Sequence, residues 1–532
     1  MLVPRITFYR ISRINAAMIT FFAGLAILIV GGYLGAKVCT KAFGPDDRPT
    51  PAHTDGDGSD YVPMKKWKNS LINFLNIAGT GPILGPIQGV LFGPIAFISI
   101  PIGCIIGGAV HDYFVGMISC RENGKTVPML VRKFLGNPAY FAFLAIFLIG
   151  MMLVITVFTY TPADLTISVV HDSIGLSSPT FSTLVYAVII IYFLLSAVLP
   201  IDKVIGKIYP LFGMMLILVT FAIFIGLFFG GYGMAELFGS WTLNGFDFAA
   251  YFTEMHFVPV FFITVACGIL SGFHATQVCL VSRTLDEERD GTTVFHTSMV
   301  VEGFVAMIWA AGTMAMIGIG AADSGITMVF ENGAWAFTTT IDGTVEKISA
   351  TTVVYVIGSK VLGTFGGVFA AVACILLPIT SGDTAIRAVR MTMMEITGAK
   401  VDSVKTVFMY TLPIVILLII ALTFVKIFPD GFHRLWMYFA LFNQQMAVFA
   451  LAMIVVYFIR RGMMKTLWIP AVPFVFYCFV TVSYLFGADI CLGAPWWLAY
   501  TVAAIAVVAM IVLVIKRGRT DDEGQPVTRS SV

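Results

Sequence analysis

Long apolar runs separated by short polar stretches recur along the chain from residue 15 to residue 515. A helix needs roughly 20 mostly apolar residues to cross the hydrocarbon core of a bilayer. The pattern predicts thirteen spanning helices, at residues 15–36, 69–92, 94–118, 138–160, 180–200, 209–231, 256–281, 297–320, 350–378, 405–428, 434–459, 467–487 and 495–515. We therefore predict an all-α polytopic membrane protein.

The composition supports this class, because 58% of the 532 residues are hydrophobic and only 12% are charged. Soluble proteins carry about 25% charged residues, and half that density does not cover the surface of a globule of this size. The net charge of +2 indicates no polyanionic partner. A soluble enzyme, a disordered protein and a nucleic-acid binder are therefore excluded, and membrane lipid is the expected partner of the outer surface.

The sequence lacks the short motifs that would indicate nucleotide, zinc or disulfide chemistry. The eight cysteines form no C-x-x-C pair, so they are expected to be free thiols that fill space among apolar side chains. Neither a G-x-x-x-x-G-K-[ST] motif nor an H-E-x-x-H motif occurs. We therefore expect no cofactor, no metal site and no enzyme activity.

The distribution of Lys and Arg between the loops predicts the orientation in the membrane. When every second loop, starting with 37–68, is placed in the cytoplasm, these loops and the tail hold 25 of the 32 basic residues. The N-terminus is then outside and the C-terminal tail inside. Arg5, Arg10 and Arg13 argue the other way for the first helix, whose apolar stretch is longer than that of a signal peptide.

Two of the predicted helices contain dense groups of helix-breaking residues. Residues 76–86 read Asn-Ile-Ala-Gly-Thr-Gly-Pro-Ile-Leu-Gly-Pro, and residues 266–277 read Ala-Cys-Gly-Ile-Leu-Ser-Gly-Phe-His-Ala-Thr-Gln. Proline removes an amide donor, and glycine lowers the cost of non-helical backbone. Such backbone is tolerated at membrane depth only where protein or a water-filled cavity meets it. Both breaks are therefore expected at a central site, although Gly and Pro are also generally more frequent in membrane helices.

The two broken helices are the first members of two successive sets of five predicted spans. Because five is odd, the second set crosses the membrane in the opposite direction, which is the pattern of a LeuT-like five-plus-five inverted repeat. One extra helix precedes this core and two follow it. The predicted segments are 1–68 (anchor helix and cytoplasmic loop), 69–255 (first repeat), 256–460 (inverted second repeat), 461–515 (two accessory helices) and 516–532 (disordered tail).

In such a repeat the substrate lies near the midplane, between the two broken helices. Exposed half-helix N-termini offer amide donors to a small anion, and unwound carbonyls accept a cation or a proton-bearing group. A small carboxylate or a short peptide suits this chemistry. The residues expected to contact the substrate are Asn76, Gly79, Thr80, Gly81, Gly268, Ser271, Gly272, His274 and Gln277.

Ionisable side chains inside spans are costly and usually line a pathway. The candidates for coupling to a proton or a cation, including two hydroxyl residues, are His111, Asp112, Glu302, Lys360, Thr380, Ser381 and Asp383. A histidine exchanges protons near neutral pH, but a buried histidine with a purely structural role is an equally open interpretation of His274.

Structural alternatives stay open for the other candidates as well. The pair His111–Asp112 could bind Arg121 or Lys125 at a helix end, and Glu302 could pair with a basic group or reach water. Lys360 could tether two helices, and Asp383 could form an i,i+4 ion pair with Arg387. The three consecutive amides at 443–445 are expected to bond to neighbouring helices rather than to substrate.

Several of these segments also carry a family resemblance. They are Asp-Tyr-Val-Pro at 60–63, the glycine- and proline-rich break at 77–86, Gly-Ala-Val-His-Asp-Tyr at 108–113, the central motif at 262–274, Glu-Gly-Phe-Val-Ala at 302–306, Ser-Gly-Asp-Thr-Ala-Ile-Arg at 381–387 and Asn-Gln-Gln-Met at 443–446. In this order they resemble motifs of the carbon starvation protein A family. The likeness runs from about residue 50 to residue 460.

The resemblance implies a bacterial inner-membrane transporter linked to uptake of pyruvate and peptides during nutrient shortage. It also implies the five-plus-five repeat of the amino acid–polyamine–organocation superfamily. The chain departs from the family at His111, where Gln is frequent, and after His274, where many relatives are rich in Ser, Gly and Pro. Many relatives are also longer, and these differences leave the substrate open.

The leading hypothesis from the sequence is a secondary active symporter for pyruvate or a short peptide, driven by protons or sodium. The main alternative is a transport-inactive sensor that signals through a partner protein. An intramembrane enzyme is disfavoured, because no nucleophile and base converge in the predicted spans. The oligomeric state is left open.

Overall fold

A computed structural model describes residues 18–56, 61–176, 178–196, 201–238, 242–243, 246–247, 256–319, 324–331, 334–341, 344–399, 404–428 and 431–520. The α-helices of this part are α1 (Ile19–Phe43), α2 (Pro51–Thr54), α3 (Lys66–Ala78), α4 (Gly81–Gly89), α5 (Ala96–Gly103), α6 (Val110–Arg121), α7 (Val127–Leu135), α8 (Asn137–Ile174), α9 (Pro179–Ser196), α10 (Ile201–Gly230), α11 (Phe257–Thr264), α12 (Ala266–Ile269), α13 (Gly272–Ser282), α14 (Ser298–Ile319), α15 (Ala350–Thr397), α16 (Val404–Ile427), α17 (Gly431–Arg460), α18 (Trp468–Gly487) and α19 (Trp496–Gly518).

Shorter helical turns join some of these helices. The 3₁₀ turns are Val90–Ile95, Glu288–Asp290 and Met464–Thr466, and the π-helical turns are Cys104–Ala109 and Thr292–Thr297. The strands are β1 (Thr242–Leu243), β2 (Phe246–Asp247), β3 (Ile326–Glu331), β4 (Ala334–Ile341) and β5 (Thr344–Lys347).

The structure confirms a multi-pass helical membrane protein, and helix occupies part of each of the thirteen predicted spans. In the described residues, eleven helices are long and apolar enough to cross a bilayer. The predicted spans 69–92 and 256–281 do not appear as separate members of this set, because each is divided into short helices. The number thirteen is therefore not confirmed.

The helices differ in how far protein surrounds them, and this locates the core. In α14 and α17, 83% of the most apolar window is buried, whereas in α9 and α19 the share is only 17%. Trp309 on α14 is completely enclosed. A helix that is apolar all round and buried belongs to the centre of a bundle. Helices α9 and α19 therefore face lipid, and α14 and α17 form the centre.

The predicted span 350–378 is wrong at its C-terminal end, because α15 continues to Thr397. It is also folded back on itself at Gly363, where φ is 78° and ψ is 175°. A Cβ placed on Gly358 would lie 2.9 Å from the Cα of Gly367, although nine residues of straight helix would separate them by about 13 Å. Residues 350–362 thus form one arm of a hairpin, and residues 364–397 form the membrane-crossing arm.

A three-stranded antiparallel sheet, β3–β4–β5, occupies residues 326–347, so the prediction of a purely α-helical chain is wrong for this segment. Glu331 pairs with Ala334 and Ile341 pairs with Thr344, which leaves two residues in each connection. The sequence has Asn-Gly at one connection and Asp-Gly at the other. These dipeptides favour tight hairpin turns, and they are the signal that identifies the sheet.

Candidate functional site

The first predicted break lies between α3 and α4. The helix ends at Ala78, Gly79 adopts φ 22° and ψ −140°, and a new helix starts after Thr80. A Cβ on Gly79 would lie 2.7 Å from the ring of Phe158 on α8. Glycine is therefore required here both by the backbone conformation and by the aromatic ring that packs against it.

The second predicted break lies between α12 and α13. Leu270 and Ser271 are extended, with φ values of −159° and −140°. The amide nitrogen of Phe273 in the first turn of α13 donates to Oδ1 of Asn443 at 2.8 Å. The side-chain Nδ2 of Asn443 donates to the sulfur of Cys267 at 3.3 Å. One side chain of α17 thus satisfies groups on both sides of the break, as expected for the amides at 443–445.

The two broken helices contact each other directly. A Cβ on Gly81 would lie 2.0 Å from the Cβ of Cys267, and a Cβ on Gly268 would lie 3.3 Å from Pro86. A Cβ on Gly108, in the π-helical turn before α6, would lie 2.3 Å from the carbonyl oxygen of Ile269. Small residues therefore allow the backbones of the two breaks and of the α5–α6 helix to approach closely.

A cluster of ionisable side chains lies where these helices meet. The carboxylate of Asp112 is 2.7 Å from Nδ1 of His111 and 3.2 Å from Nδ1 of His274. Nε2 of His274 is 3.6 Å from Oε1 of Glu302 on α14. All four side chains are at most 1% exposed. Because buried charges are costly unless they are paired, the two acids and two histidines stabilise one another.

This cluster decides between the alternatives left open by the sequence. Asp112 contacts histidines, whereas Arg121 binds Glu288 and Lys125 binds Glu122. Pairing of Asp112 with Arg121 or Lys125 is therefore wrong. Glu302, which is buried, meets His274 and does not reach water.

His274 also links the two breaks, because the backbone carbonyl of Ile77, one residue before the end of α3, faces its imidazole. Three neighbouring polar atoms are buried without a hydrogen-bond partner among the described residues: Asn76 Oδ1, Thr80 Oγ1 and Gln277 Oε1. Buried polar groups are nearly always hydrogen-bonded in folded proteins, so these three atoms are candidates for ligand contacts beside the breaks.

A second polar group lies on the crossing arm of α15. Ser381 Oγ donates to the carbonyl of Leu75 on α3 at 3.2 Å, and Thr380 Oγ1 donates to Leu377 within its own helix at 2.7 Å. Ser196 Oγ donates to Oδ1 of Asp383 at 2.7 Å. Ser381 therefore contacts the first broken helix and Asp383 contacts α9, and the group lies in the middle of α15 rather than at a helix end.

Comparison of sequences identifies the protein family. The profile described as carbon starvation protein CstA matches residues 14–174, 166–357 and 348–484, which together cover most of the chain. The chain belongs to the CstA family. Both breaks, the histidine–carboxylate cluster and the polar group on α15 lie within the matched residues.

Several proteins similar to this chain carry the name of a transporter. Peptide transporter CstA from Campylobacter jejuni is 25% identical over 582 aligned positions, covering 89% of this chain and 80% of that protein. Peptide transporter CstA from Bacillus subtilis is 38% identical over 148 residues, covering 28% of this chain and 23% of that protein. An uncharacterized membrane protein from Haemophilus influenzae is 39% identical over 331 residues, 55% of this chain and 89% of that one.

A solved transporter structure shares the fold of this CstA-family chain. The crystal structure of the Eremococcus coleocola manganese transporter, in complex with an aromatic bis-isothiourea substituted compound, matches with a TM-score of 0.50. The match covers 87% of this chain and 98% of the transporter at 11% identity. At this identity the likeness concerns the fold alone.

Lys360 is placed differently from the prediction. It was expected about ten residues inside a span, where an uncompensated charge would be expensive. It lies instead near the tip of the α15 hairpin, where its side chain is exposed and its backbone carbonyl accepts from Tyr232 Oη at 3.0 Å. In this position the side chain of Lys360 does not tether buried helices and does not contact the central cluster.

The state of the cysteines and the arrangement of possible metal ligands are two further features of the structure. All eight cysteines are free thiols and seven are buried, as expected from their spacing. Among the described residues, no group of three or more His, Cys, Asp or Glu side chains is arranged to hold a metal ion. The histidines and carboxylates of the cluster contact one another directly instead of surrounding a common point.

Two contributors to the site were not predicted as such from the sequence. Phe158 packs on Gly79 and on the ring of Phe273, 5.4 Å between centroids, so it lines both breaks. As one of 46 phenylalanines, it carries no sequence signal. His296 lies at the end of a predicted loop, yet the structure places it in a π-helical turn and completely buries it.

An ion-pair network joins the loops at the predicted cytoplasmic end of the bundle. The buried carboxylate of Glu288 accepts from Nε and Nη2 of Arg121, both at 3.0 Å, and lies 3.6 Å from Arg48. The Arg48 guanidinium also binds Asp46 and holds the pKa of that carboxyl below its ordinary value. Asp46 therefore stays ionised in acid, and the network connects the loops after α1, α6 and α13.

We expect the substitution Glu288→Gln to lower the free energy of unfolding by about 3 kcal/mol, because it leaves a mostly buried arginine without its counter-ion. Glu288 is 1% exposed and Arg121 is 12% exposed. The readout is the melting temperature of purified protein in detergent. Arg289→Gln is the matched control, since its pair with Asp47 is 62% and 83% exposed and is worth at most about 1 kcal/mol. Equal melting temperatures for the two variants would contradict the role of Glu288.

Proposed function

We propose that the protein is a secondary active transporter that imports short peptides or pyruvate across the bacterial inner membrane together with protons. The single observation that supports this most is the buried chain Asp112–His274–Glu302, which joins α6, the second broken helix and α14. Ionisable groups at this depth are energetically costly, and they usually line a substrate or ion pathway. Family membership and the names of the relatives agree with transport.

The proposed core is an inverted repeat of residues 69–255 and 256–460. Two features support it. Each half begins with a broken helix, α3–α4 in the first and α11–α13 in the second. Each break is followed by a π-helical turn in the next span, Cys104–Ala109 in the first half and Thr292–Thr297 in the second. Repeats of this kind transport by rocking one part of the bundle around a central site.

Proton coupling would act through His274. Its two ring nitrogens face two different carboxylates, 3.2 Å and 3.6 Å away, so a proton taken up by this group changes the charge balance of both pairs. Solute and proton movement depend on each other when the protonation of this group differs between the substrate-bound and the empty transporter. The substrate would bind next to it, at the breaks.

The polar atoms at the breaks favour a substrate with N–H donors. Oδ1 of Asn76 and Oε1 of Gln277 are hydrogen-bond acceptors without partners among the described residues, and two carboxylates lie nearby. The ammonium and amide groups of a short peptide would supply donors. Pyruvate has acceptor atoms only and would depend on a protonated His274. Peptide is therefore the first substrate to test and pyruvate the second.

The group on α15 supports sodium as an alternative coupling ion. The hydroxyl of Ser381 lies beside the carbonyl of Leu75, and the oxygens of Thr380 and Asp383 lie within two residues of it on the same helix. Hard cations prefer such oxygen ligands.

In the proposed orientation the N-terminus is outside, and the C-terminal tail and the Glu288 network are cytoplasmic.

The test is uptake of a radiolabelled dipeptide and of labelled pyruvate into proteoliposomes that contain the purified protein. An inward proton gradient, an inward sodium gradient and no gradient are compared. We expect accumulation above the external concentration only with the proton gradient. Accumulation without any gradient would refute symport, and accumulation with sodium alone would replace the proton by sodium.

The same assay separates transport from sensing. A transport-inactive sensor would bind a labelled dipeptide in detergent but would move none of it across the membrane under any gradient. Protein-free liposomes and liposomes with heat-denatured protein are the controls for leakage. Binding combined with the absence of flux and of exchange would favour the sensor.

A further inference from the structure

His296 is a buried histidine that the proposed transport cycle does not yet use. Its side chain is 0% exposed, and neither Nδ1 nor Nε2 has a hydrogen-bond partner among the described residues. A neutral imidazole offers one donor and one acceptor, and leaving both unsatisfied in a protein interior is unfavourable. A buried histidine of this kind either exchanges hydrogen-bond partners during function or only fills space. Experiments can distinguish these two roles.

The position of His296 is constrained by two neighbouring helices. A Cβ placed on Gly35 of α1 would lie 3.2 Å from Nε2, so α1 approaches the ring at a residue without a side chain. The ring of Tyr113 on α6 lies 6.5 Å away, centroid to centroid, in an edge-to-face arrangement. His296 also belongs to the π-helical turn Thr292–Thr297, and such wide turns occur frequently at functional sites.

On one side, His296 faces the central cluster. Asp112, the residue that precedes Tyr113 on α6, is close enough for its charge to act on the imidazole. Asp112 in turn contacts His111 and His274. The imidazole of His296 is therefore the next titratable ring beyond Asp112, the carboxylate that contacts the proton-accepting His274 of the proposed cycle.

On the other side, Tyr113 and the wide turn bring hydroxyl groups toward the predicted cytoplasmic end of the bundle. The hydroxyls of Thr40 and Thr292 are 2.7 Å apart, and the hydroxyl of Tyr113 faces this pair. Along the chain, Glu288, Thr292 and His296 are each four residues apart. Glu288 belongs to the ion-pair network with Arg121, so a short stretch of turns connects His296 along the chain to that network.

Among the described residues, His296 forms no ion pair. Asp112 and Tyr113 on α6 are the titratable side chains that act on or pack against its ring, and the thiol of Cys39 on α1 lies near Tyr113. Helix α3 packs on the same wide turn through Asn73, whose Nδ2 donates to the carbonyl of Val294 at 2.7 Å. Residues 69–78 of α3 include no titratable side chain.

We propose that His296 carries the proton between the Asp112–His274–Glu302 chain and the cytoplasm, by way of the hydroxyls of Tyr113, Thr40 and Thr292. One ring nitrogen accepts the proton released from the cluster, and the other nitrogen donates a proton toward the hydroxyls, so no net charge stays on the ring after transfer. This inference rests on the proposed proton-coupled transport. It adds a proton-transfer residue that neither binds substrate nor belongs to the breaks.

The test separates proton movement from substrate movement. Proteoliposomes loaded with the pH indicator pyranine report proton influx when a dipeptide is added, and exchange of labelled for unlabelled dipeptide reports substrate movement without net proton transfer. For His296→Gln we expect proton influx and concentrative uptake to fall by about tenfold or more, with exchange within about twofold of wild type. His53→Gln, at a histidine that is 47% exposed, is the control.

Each outcome decides a different statement. If wild-type protein moves no protons with any tested substrate, the proposed function fails before the variant is examined. If wild-type transport is proton-coupled and His296→Gln keeps its proton influx, the inference is wrong. Loss of exchange together with proton influx would also overturn it, since that shows a structural role.

A second variant tests the same path without altering the imidazole. Thr292→Val removes the hydroxyl that lies 2.7 Å from that of Thr40 and keeps the shape of the side chain. We expect it to slow proton influx while leaving exchange and melting temperature unchanged. Equal proton influx in Thr292→Val and wild type would overturn the proposed path even if His296→Gln fails to fold.

Discussion

Asp112→Asn is expected to abolish concentrative uptake, with a loss of about 100-fold, while the protein still exchanges substrate across the membrane. The carboxylate is 0% exposed and lies between two imidazoles, at 2.7 Å and 3.2 Å. An amide of the same shape keeps the packing but neither takes up nor releases a proton, and removal of a positioned acid–base group costs about 10²- to 10⁴-fold in proton-transfer reactions. The measurement is uptake under an imposed proton gradient compared with exchange at equilibrium.

The chemically identical change at Asp47, which is 83% exposed, provides the matched control and is expected to transport like wild type. Asp112→Asn also leaves His111 without its acidic partner and His274 with Glu302 alone, so we expect a lower melting temperature as well. Retention of proton-driven accumulation in a well-folded Asp112→Asn protein would show that the cluster is structural and that coupling occurs elsewhere, with the carboxylate of Asp383 as the next candidate.

Gly81→Ala is the second substitution for which we expect a large effect. The added methyl group would lie 2.0 Å from the Cβ of Cys267, and its own helix starts only one residue after the break. Overpacking of this kind usually costs about 1–3 kcal/mol, because backbone must shift when no flexible side chain can move aside. The shift here separates α4 from α12, so we expect transport to fall by about tenfold or more even in protein that folds.

Gly85→Ala is the control for this substitution. It lies one turn further along the same helix, and its Cβ would meet the Cα of Val265 at 3.4 Å, which is ordinary contact. Transport and melting temperature should therefore stay close to wild type. Equal transport by the two alanine variants would mean that close contact between the broken helices is not required.

The sequence predicts well those features that depend on a local pattern. Apolar length predicts the positions of the spans, and the groups of Gly and Pro predict both breaks. The cost of a buried charge identifies His111, Asp112 and Glu302 one by one. The contacts between these side chains depend on tertiary packing. His274 and Asp112 are 162 residues apart in sequence, and this separation does not predict that they touch.

Other features lie outside what apolar length detects. The span around residues 350–378 is continuous in hydropathy, yet Gly363 turns the chain back and moves Lys360 out of the membrane-crossing arm. In the same way, helix resumes before residue 297, so that His296 belongs to a buried turn instead of a loop. In both cases the local preference for helix is clear, and only packing against other helices decides where the helix folds back or begins.

The two π-helical turns have a consequence for how the family tolerates changes in length. A π-helical turn holds one residue more than an α-helical turn, so deleting one residue from Cys104–Ala109 would allow regular helix to form with the following residues facing nearly as before. The same deletion in the regular helix Ala96–Gly103 would rotate everything after it by about 100°. His111 and Asp112 would then point away from His274, although no residue of the cluster had been altered. The wide turn is therefore the place in this helix where a loss of one residue is compatible with an intact cluster.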